Sequence, residues 1–142
     1  MQLPKIIKGN SYTDSRGTLI YNNLFDASEI KRMYIIQNSS TKVFRGWQGH
    51  KVEKRWFSCL QGEFEIYLIE VDNWRKPTKS LEIIKFNFNS DRMDVLYVPS
   101  GYLNSIRSKT PDSKLLCMSN YGLNEIDDEY RFEYDYFDSN YK

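Results

Sequence analysis

The sequence has few of the side chains that carry nucleophilic, redox or metal chemistry. It holds one histidine, His50, and two cysteines, Cys59 and Cys117, in 142 residues. Both cysteines lie in apolar runs without CxxC spacing, which indicates buried, reduced thiols and gives no support for a disulfide. Glycine-rich phosphate loops and nucleophile elbows are also missing, so the commonest phosphate-binding and hydrolase motifs are excluded.

An excess of charge of either sign is missing as well. The 20 basic and 19 acidic residues leave a formal net charge of +1, so no broad basic field exists to hold a nucleic-acid backbone. No apolar run approaches membrane-spanning length, and segment 1–7 lacks the apolar core of a signal peptide. We therefore expect a soluble, cytoplasmic protein that binds neither nucleic acid nor membrane.

The residues that are present are typical of one globular β domain. Hydrophobic residues make up 40% of the chain and aromatic residues 15%, and the length fits a single domain over residues 1–142. Side chains alternate with period two between short polar turns, which predicts an all-β, antiparallel fold, best fitted by a small jelly-roll barrel. One helical turn is predicted over 25–30 and a short helix over 124–137. The predicted strands are 18–21, 32–37, 42–47, 55–61, 63–71, 81–88, 95–98, 105–107 and 114–120.

The densest group of chemically useful side chains lies in the stretch 44–57, which contains the histidine. In an extended segment Gln48 and His50 point to the same face, because side chains two apart share one side of a strand. An imidazole with an ordinary pKa of about 6.5 can act as an acid or a base near neutral pH. The competing interpretation is a surface histidine or a satisfied core histidine. Trp47 and Trp56 are expected to fill the core rather than stack on a base.

Several segments, in the same order along the chain, resemble one enzyme family. They are 14–19, 30–36, 45–51, 59–62, 96–99, and 127–131 with 134–137. They resemble the cupin sugar 3,4-ketoisomerases, which act on dTDP-4-keto-6-deoxyhexoses. The sequence is similar, less closely, to the dTDP-4-dehydrorhamnose 3,5-epimerases. The resemblance implies a cupin jelly roll and an isomerase of deoxysugar or glycan biosynthesis that removes a proton next to the ketone without a cofactor.

The sequence departs from these families at two positions. The ketoisomerase motif Arg-Gly-x-His-x-His-Lys is Arg-Gly-Trp-Gln-Gly-His-Lys over 45–51, so Gln48 replaces the first histidine. That histidine also corresponds to the catalytic base of the epimerases. After Pro99, the epimerase pattern Gly-x-x-His ends in Asn104. An amide cannot transfer a proton at neutral pH, although it can donate a hydrogen bond to a carbonyl or an enolate oxygen.

The resemblance implies catalytic roles for three residues. His50 is the expected base, and it abstracts and redelivers a proton on one face of the sugar. Tyr34, on the preceding strand, is the expected second proton-transfer group, with Ile35 as the alternative alignment and a core-edge tyrosine as the structural alternative. Gln48 is expected to hold the sugar ketone or a hydroxyl, and its alternative is a polar side chain that faces solvent.

Four further residues are expected to bind the substrate. Arg45 suits bidentate binding of a diphosphate, because its guanidinium is planar. Arg16 resembles the family arginine that reaches the nucleotide sugar, and Arg55 lies where the ketoisomerases tend to have glutamine. Asn104 completes this set. The alternative for each arginine is a solvated surface charge.

Partners and competing functions follow from the same resemblance. Metal-binding cupins use two or three histidines and a glutamate, and one histidine does not supply that set, so we expect no metal. Family members are typically homodimers, so segment 1–21 is expected to pair with a second copy. Three functions stay open: a 3,4-ketoisomerase, a 3- or 3,5-epimerase on the same substrate class, and a non-catalytic module that binds a nucleotide sugar.

Overall fold

The computed structural model describes residues 2–138, and this part of the chain contains twelve β-strands and no helix. The strands are β1 (Lys5–Ile7), β2 (Asn10–Asp14), β3 (Gly17–Tyr21), β4 (Arg32–Ile36), β5 (Arg45–His50), β6 (Arg55–Gln61), β7 (Glu63–Glu70), β8 (Ile84–Asn89), β9 (Val95–Val98), β10 (Tyr102–Ser108), β11 (Lys114–Ser119) and β12 (Tyr130–Arg131). The predicted all-β class is therefore confirmed.

The strands form two five-stranded sheets and a separate hairpin. Sheet I has the order β1-β9-β6-β11-β4, and sheet II has the order β12-β5-β10-β7-β8. Neighbouring strands are antiparallel throughout. The hairpin of β2 and β3 joins neither sheet within the described residues. Most pairings link strands that are distant in the chain, as in a jelly roll.

The main core lies between the inner faces of the two sheets. Phe57 and Leu115 of sheet I pack in one buried cluster with Phe64 and Ile66 of sheet II. Period-two alternation places these side chains on one face of each strand, so each sheet buries that face against the other. Burial of a large apolar side chain contributes about 1.5–3 kcal/mol. Cys117 belongs to the same cluster as a free thiol, and burial raises its pKa to about 12.

The outer faces carry two smaller clusters. Trp47, on the outer side of sheet II, packs edge-on against Phe137 of the C-terminal segment. Trp56, on the outer side of sheet I, packs against Tyr97. Both indoles are buried, as predicted, but they lie in these outer clusters rather than in the main core between the two sheets. The C-terminal segment that covers Trp47 also brings β12 beside β5, which positions one wall of the cavity described below.

Several sequence predictions differ from the structure. The short helix predicted over 124–137 is wrong, because this segment forms turns and β12. The helical turn predicted over 25–30 is a non-helical turn, in which the N–H of Ile30 donates to the carbonyl oxygen of Ala27. The strand predicted over 42–47 is displaced towards the C-terminus, where pairing with β10 extends it to His50. β1, β2 and β12 were not predicted.

Candidate active site

A cavity of about 500 Å³ opens where β4, β5, β6 and β10 meet. Its lining contains aliphatic and aromatic side chains together with polar and charged ones. The lining residues are Tyr34, Ile35, Ile36, Gln37, Arg45, Gly46, Gln48, His50, Arg55, Phe57, Asn104, Ile106 and Arg131. A concave site with a few convergent polar groups is the usual form of a small-molecule site. Six of the seven predicted site residues lie here, and Arg16 does not.

β5 delivers Gln48 and His50 to the same cavity, so the shared face predicted from their spacing is confirmed. The intervening Gly49 faces the other way, against the backbone of β10. A Cβ atom at Gly49 would lie 2.2 Å from the carbonyl oxygen of Tyr102. Glycine is therefore required at this position for β5 and β10 to approach each other, and their pairing fixes where the imidazole points.

His50 is 6% exposed and uses both of its ring nitrogens. Its Nδ1 lies 3.0 Å from the carbonyl oxygen of Asp128 and 3.1 Å from Oε2 of Glu53. Both of these neighbours are acceptors, so Nδ1 carries the proton of the neutral ring. Nε2 then carries the lone pair, and a proton abstracted from a substrate would be received there.

The lone pair on Nε2 already accepts a hydrogen bond from a buried guanidinium. Nη2 of Arg55 lies 2.7 Å from Nε2 of His50. The same nitrogen donates to Oε2 of Glu53 at 2.8 Å, and Nε of Arg55 donates to that oxygen at 3.2 Å. Nη1 of Arg55 donates to the hydroxyl of Tyr34 at 2.7 Å. His50, Glu53, Arg55 and Tyr34 thus form one connected polar network.

Burial and the nearby guanidinium both favour the neutral imidazole. Burial lowers the pKa of His50 most, the positive charge of Arg55 lowers it further, and the negative charge of Glu53 acts in the opposite direction. The pKa of Tyr34 is raised, chiefly by burial, with the charge of Arg55 opposing that rise. Near neutral pH the network therefore contains a neutral imidazole and a neutral phenol.

The turn after β5 is held by Asp128, which the sequence reasoning did not identify. Its carboxylate accepts the backbone N–H groups of Lys51, Val52 and Glu53 at 2.8–3.0 Å. These bonds fix the turn that brings the Glu53 side chain back to His50. Segment 127–131 is part of the family resemblance. Asp128 is separated from the residues of this turn by 75–77 positions in the chain, so the local sequence pattern does not predict the contact.

Gln48 is held at the mouth of the cavity by an acidic neighbour. Its side-chain amide donates to Oε1 of Glu129. Arg131 donates to the same oxygen at 3.1 Å, and Arg131 also lines the cavity. Asn104 is the register partner of Gln48 across β5 and β10 and is buried. Gln48 and Asn104, the two amides that stand where the families have histidine, therefore lie side by side.

The predicted arginines have different surroundings. Arg45 lines the cavity, and its Nε donates to Oδ1 of Asn38 at 2.6 Å. Arg16 lies at the turn of the β2–β3 hairpin, where it is largely exposed and pairs with Asp14 at 2.8 Å. Within one chain, Arg16 is therefore outside the cavity. Tyr34 rather than Ile35 carries the pocket-facing polar group, because its hydroxyl reaches Arg55 while Ile35 is 55% exposed.

Residues 2–138 contain no group of three or more His, Cys, Asp or Glu side chains placed to hold a metal ion. The same residues contain no helix that is long and apolar enough to cross a membrane.

Comparison with known proteins assigns the family. A family model described as FdtA, WxcM-like, C-terminal, matches residues 2–142. The chain belongs to the FdtA family. No curated protein matches the sequence.

Solved structures similar to this FdtA-family chain include sugar isomerases and epimerases. A histidine-to-asparagine variant of the 3,4-ketoisomerase QdtA from Thermoanaerobacterium thermosaccharolyticum, in complex with TDP-4-keto-6-deoxyglucose, is 24% identical, covers 94% of this chain and 89% of its own, and has a TM-score of 0.70. A 3,4-ketoisomerase from Helicobacter canadensis is 25% identical, with 86% of each chain covered and a TM-score of 0.63. The dTDP-4-dehydrorhamnose 3,5-epimerase from Bacillus anthracis is 11% identical, with 86% and 74% covered and a TM-score of 0.69. The predicted fold and the suspected family are thus confirmed.

Proposed function

We propose that this protein is a 3,4-ketoisomerase of a nucleotide-activated 4-keto-6-deoxyhexose. The observation that carries the proposal is the pairing of His50 and Tyr34 in one cavity of about 500 Å³. Membership of the FdtA family and similarity to solved 3,4-ketoisomerases support the same reaction class. A TDP-linked sugar is the proposed substrate, and the cytoplasm is the proposed location.

The reaction moves one proton between carbons and one between oxygens. Nε2 of His50 takes the proton from C3, the C–H electron pair forms the C3=C4 double bond, and the former carbonyl pair remains on the C4 oxygen. Tyr34 gives its proton to that oxygen and receives the proton of the C3 hydroxyl. The imidazolium then returns its proton to C4, which leaves a ketone at C3 and a hydroxyl at C4.

Glu53 and the carbonyl oxygen of Asp128 orient the base. Both accept from Nδ1, so they hold the tautomer in which Nε2 faces the cavity. The carboxylate of Glu53 also stabilises the imidazolium that forms during the reaction, as the acidic residue does in a His-Asp pair. This protein therefore carries out proton transfer with one histidine, and Gln48 serves as a hydrogen-bonding side chain.

The charges at the cavity mouth suit an anionic substrate. Arg45 and Arg131 both line the cavity, and Arg131 pairs with Glu129 at the rim. Arginine binds phosphate oxygens through two parallel N–H donors. We assign the diphosphate to these two arginines, and the sugar to the space between His50 and Asn104.

A homodimer is part of the proposal. The β2–β3 hairpin stands apart from both sheets and exposes Leu19 and Tyr12, and an isolated two-stranded hairpin is marginally stable. β4 is the edge of sheet I, and its side chains Met33 and Ile35 are 71% and 55% exposed, with Ile35 also at the cavity. Pairing of the hairpin with β4 of a second copy covers both surfaces. In that arrangement Arg16 approaches the partner's cavity.

The deciding experiment follows dTDP-4-keto-6-deoxyglucose by proton NMR in deuterated water with the wild-type protein. A ketone that moves from C4 to C3 is the expected result, and His50→Asn should abolish this movement while it retains binding of dTDP. Deuterium at C3 or C5 with the ketone still at C4 would instead indicate a 3- or 3,5-epimerase if the configuration at that carbon is inverted, and a stalled enolisation if it is kept.

A binding module is the second candidate, and one observation favours it. The lone pair of His50 is bonded to Arg55 and the amide of Gln48 is bonded to Glu129, so neither side chain is free in this structure. Binding of dTDP without any exchange of substrate hydrogens would support that candidate and overturn the isomerase.

A further inference from the structure

One guanidinium contacts both proton-transfer groups of the candidate site. Arg55 is 5% exposed and donates to His50 and to Tyr34, each at 2.7 Å, from its two terminal nitrogens. The two hydrogens on Nη2 are directed to Nε2 of His50 and to Oε2 of Glu53. Burial of an arginine to this degree requires a reason, because charged side chains are rarely buried without a partner or a function.

The contact between Arg55 and His50 prevents the base from acting in the ligand-free protein. A lone pair that accepts a hydrogen bond is not available to a carbon-bound proton. Protonation of Nε2 would also place an imidazolium 2.7 Å from a guanidinium, and two like charges in a buried site repel strongly. The hydrogen bond to Nε2 must therefore be released before His50 receives a proton.

We propose that Arg55 is a catalytic residue that exchanges one hydrogen-bond acceptor for another. Its Nη2–H donates to Nε2 of His50 in the ligand-free protein and to the ketone oxygen of the bound substrate. This inference rests on the proposed isomerase function. The same movement frees the base and supplies a charged donor to the oxygen on which the enolate develops. The polar environment of that oxygen is then already present when C3 loses its proton.

The rest of the network keeps Arg55 in place during this exchange. Two bonds to Oε2 of Glu53 anchor the guanidinium, so a small rotation redirects one N–H group without loss of the ion pair. Nη1 stays with Tyr34, which aligns the phenol with the same substrate oxygen. His50 as the base, Tyr34 as the acid and Arg55 as the charged donor are thereby arranged around the position of the ketone oxygen.

The first measurement needs no substrate and uses the fact that His50 is the only histidine. Its ring signals, followed by NMR against pH, report the pKa of one residue. Because the charge of Arg55 lowers that pKa, Arg55→Gln should shift the titration to higher pH. Arg75→Gln, in an exposed loop, is the matched control and should leave the titration unchanged.

The second measurement compares steady-state kinetics of the isomerisation in the same variants. The amide of Arg55→Gln can still donate a hydrogen bond, so Arg55→Met is the variant that removes the donor to the enolate oxygen. It should lower kcat by about 10²–10³-fold with little change in KM, as for other oxyanion donors. Arg55→Lys keeps a positive charge, but a single ammonium group cannot bridge His50 and Tyr34 as the two terminal nitrogens of arginine do. We therefore expect its kcat to lie between that of the wild type and that of the uncharged variant. Thermal unfolding of the double variant Glu53→Gln/Arg55→Gln, which removes both buried charges, is compared with that of the single Arg55 variants to test whether an unpaired Glu53 carboxylate destabilises the fold.

The outcomes separate the two proposals. An inactive wild-type protein would overturn the isomerase function and with it the catalytic role of Arg55. Wild-type activity with an unchanged kcat in Arg55→Met would overturn the role of Arg55 alone. A His50 titration that Arg55→Gln does not move would also overturn it, because the two groups would then not be in contact in solution.

Discussion

At the scale of single residues, the acid-base behaviour of His50 depends on two opposed neighbours. Arg55 lowers its pKa and Glu53 raises it, while burial lowers it most. In the proposed mechanism the neutral ring is the base, so activity should be lost as the pH falls through the pKa of His50. Since that pKa lies below the ordinary value of 6.5, kcat/KM should stay high at pH values where an exposed histidine would already be protonated.

Glu53→Gln should shift the acidic limb of the pH profile of kcat/KM to lower pH, because it removes the negative charge that raises the pKa of His50. It should also lower kcat, since the imidazolium loses the partner on Nδ1. The measurement is the pH profile of kcat/KM, with Glu133→Gln as an exposed control and circular dichroism as a check on folding. A limb that moves upward would contradict the arrangement of the network.

At the scale of the elements, the close approach of β5 and β10 places the base. Gly49→Ala would put a methyl group 2.2 Å from the carbonyl oxygen of Tyr102 and 2.8 Å from Cα of Leu103. Backbone atoms cannot yield as a flexible side chain can, so the strands must separate. We expect a loss of about 1–3 kcal/mol in unfolding free energy.

The same separation should reduce activity more than stability, because Gln48 and His50 flank the substituted residue. Thermal unfolding and kcat/KM are the two measurements. Gly122→Ala is the matched control, since its added methyl group would meet the end of the Glu125 side chain at 3.1 Å. Wild-type kcat/KM in Gly49→Ala would show that the pairing of β5 with β10 does not position the base.

At the scale of the whole molecule, the uncovered hairpin and the uncovered edge of sheet I predict a dimer. Met33→Lys places a charge on the exposed side of β4, at a residue outside the cavity lining, and Leu19→Lys does so on the hairpin. Each should convert a dimer into a monomer in sedimentation experiments, whereas Val52→Lys, on an exposed turn, should not. A wild-type protein that sediments as a monomer at all concentrations would remove the dimer from the proposal.

Much of the fold was accessible from local pattern. The predicted strand 55–61 has the bounds of β6, and 95–98 has those of β9, because alternation and flanking turns are local properties of the sequence. The short strands β1 and β12 carry little alternation of their own. They form because β9 and β5 offer them a partner, and that partner is known only from the fold.

The sequence by itself determined the all-β class, the family and the common face of Gln48 and His50. Those follow from composition, period-two spacing and motif order, which need no knowledge of distant contacts. Only the tertiary structure decided that Arg55 bonds to the imidazole and that Asp128, 78 residues from His50, holds Nδ1. Such contacts depend on how the strands and loops of the jelly roll come together in space, and a linear pattern does not encode that geometry.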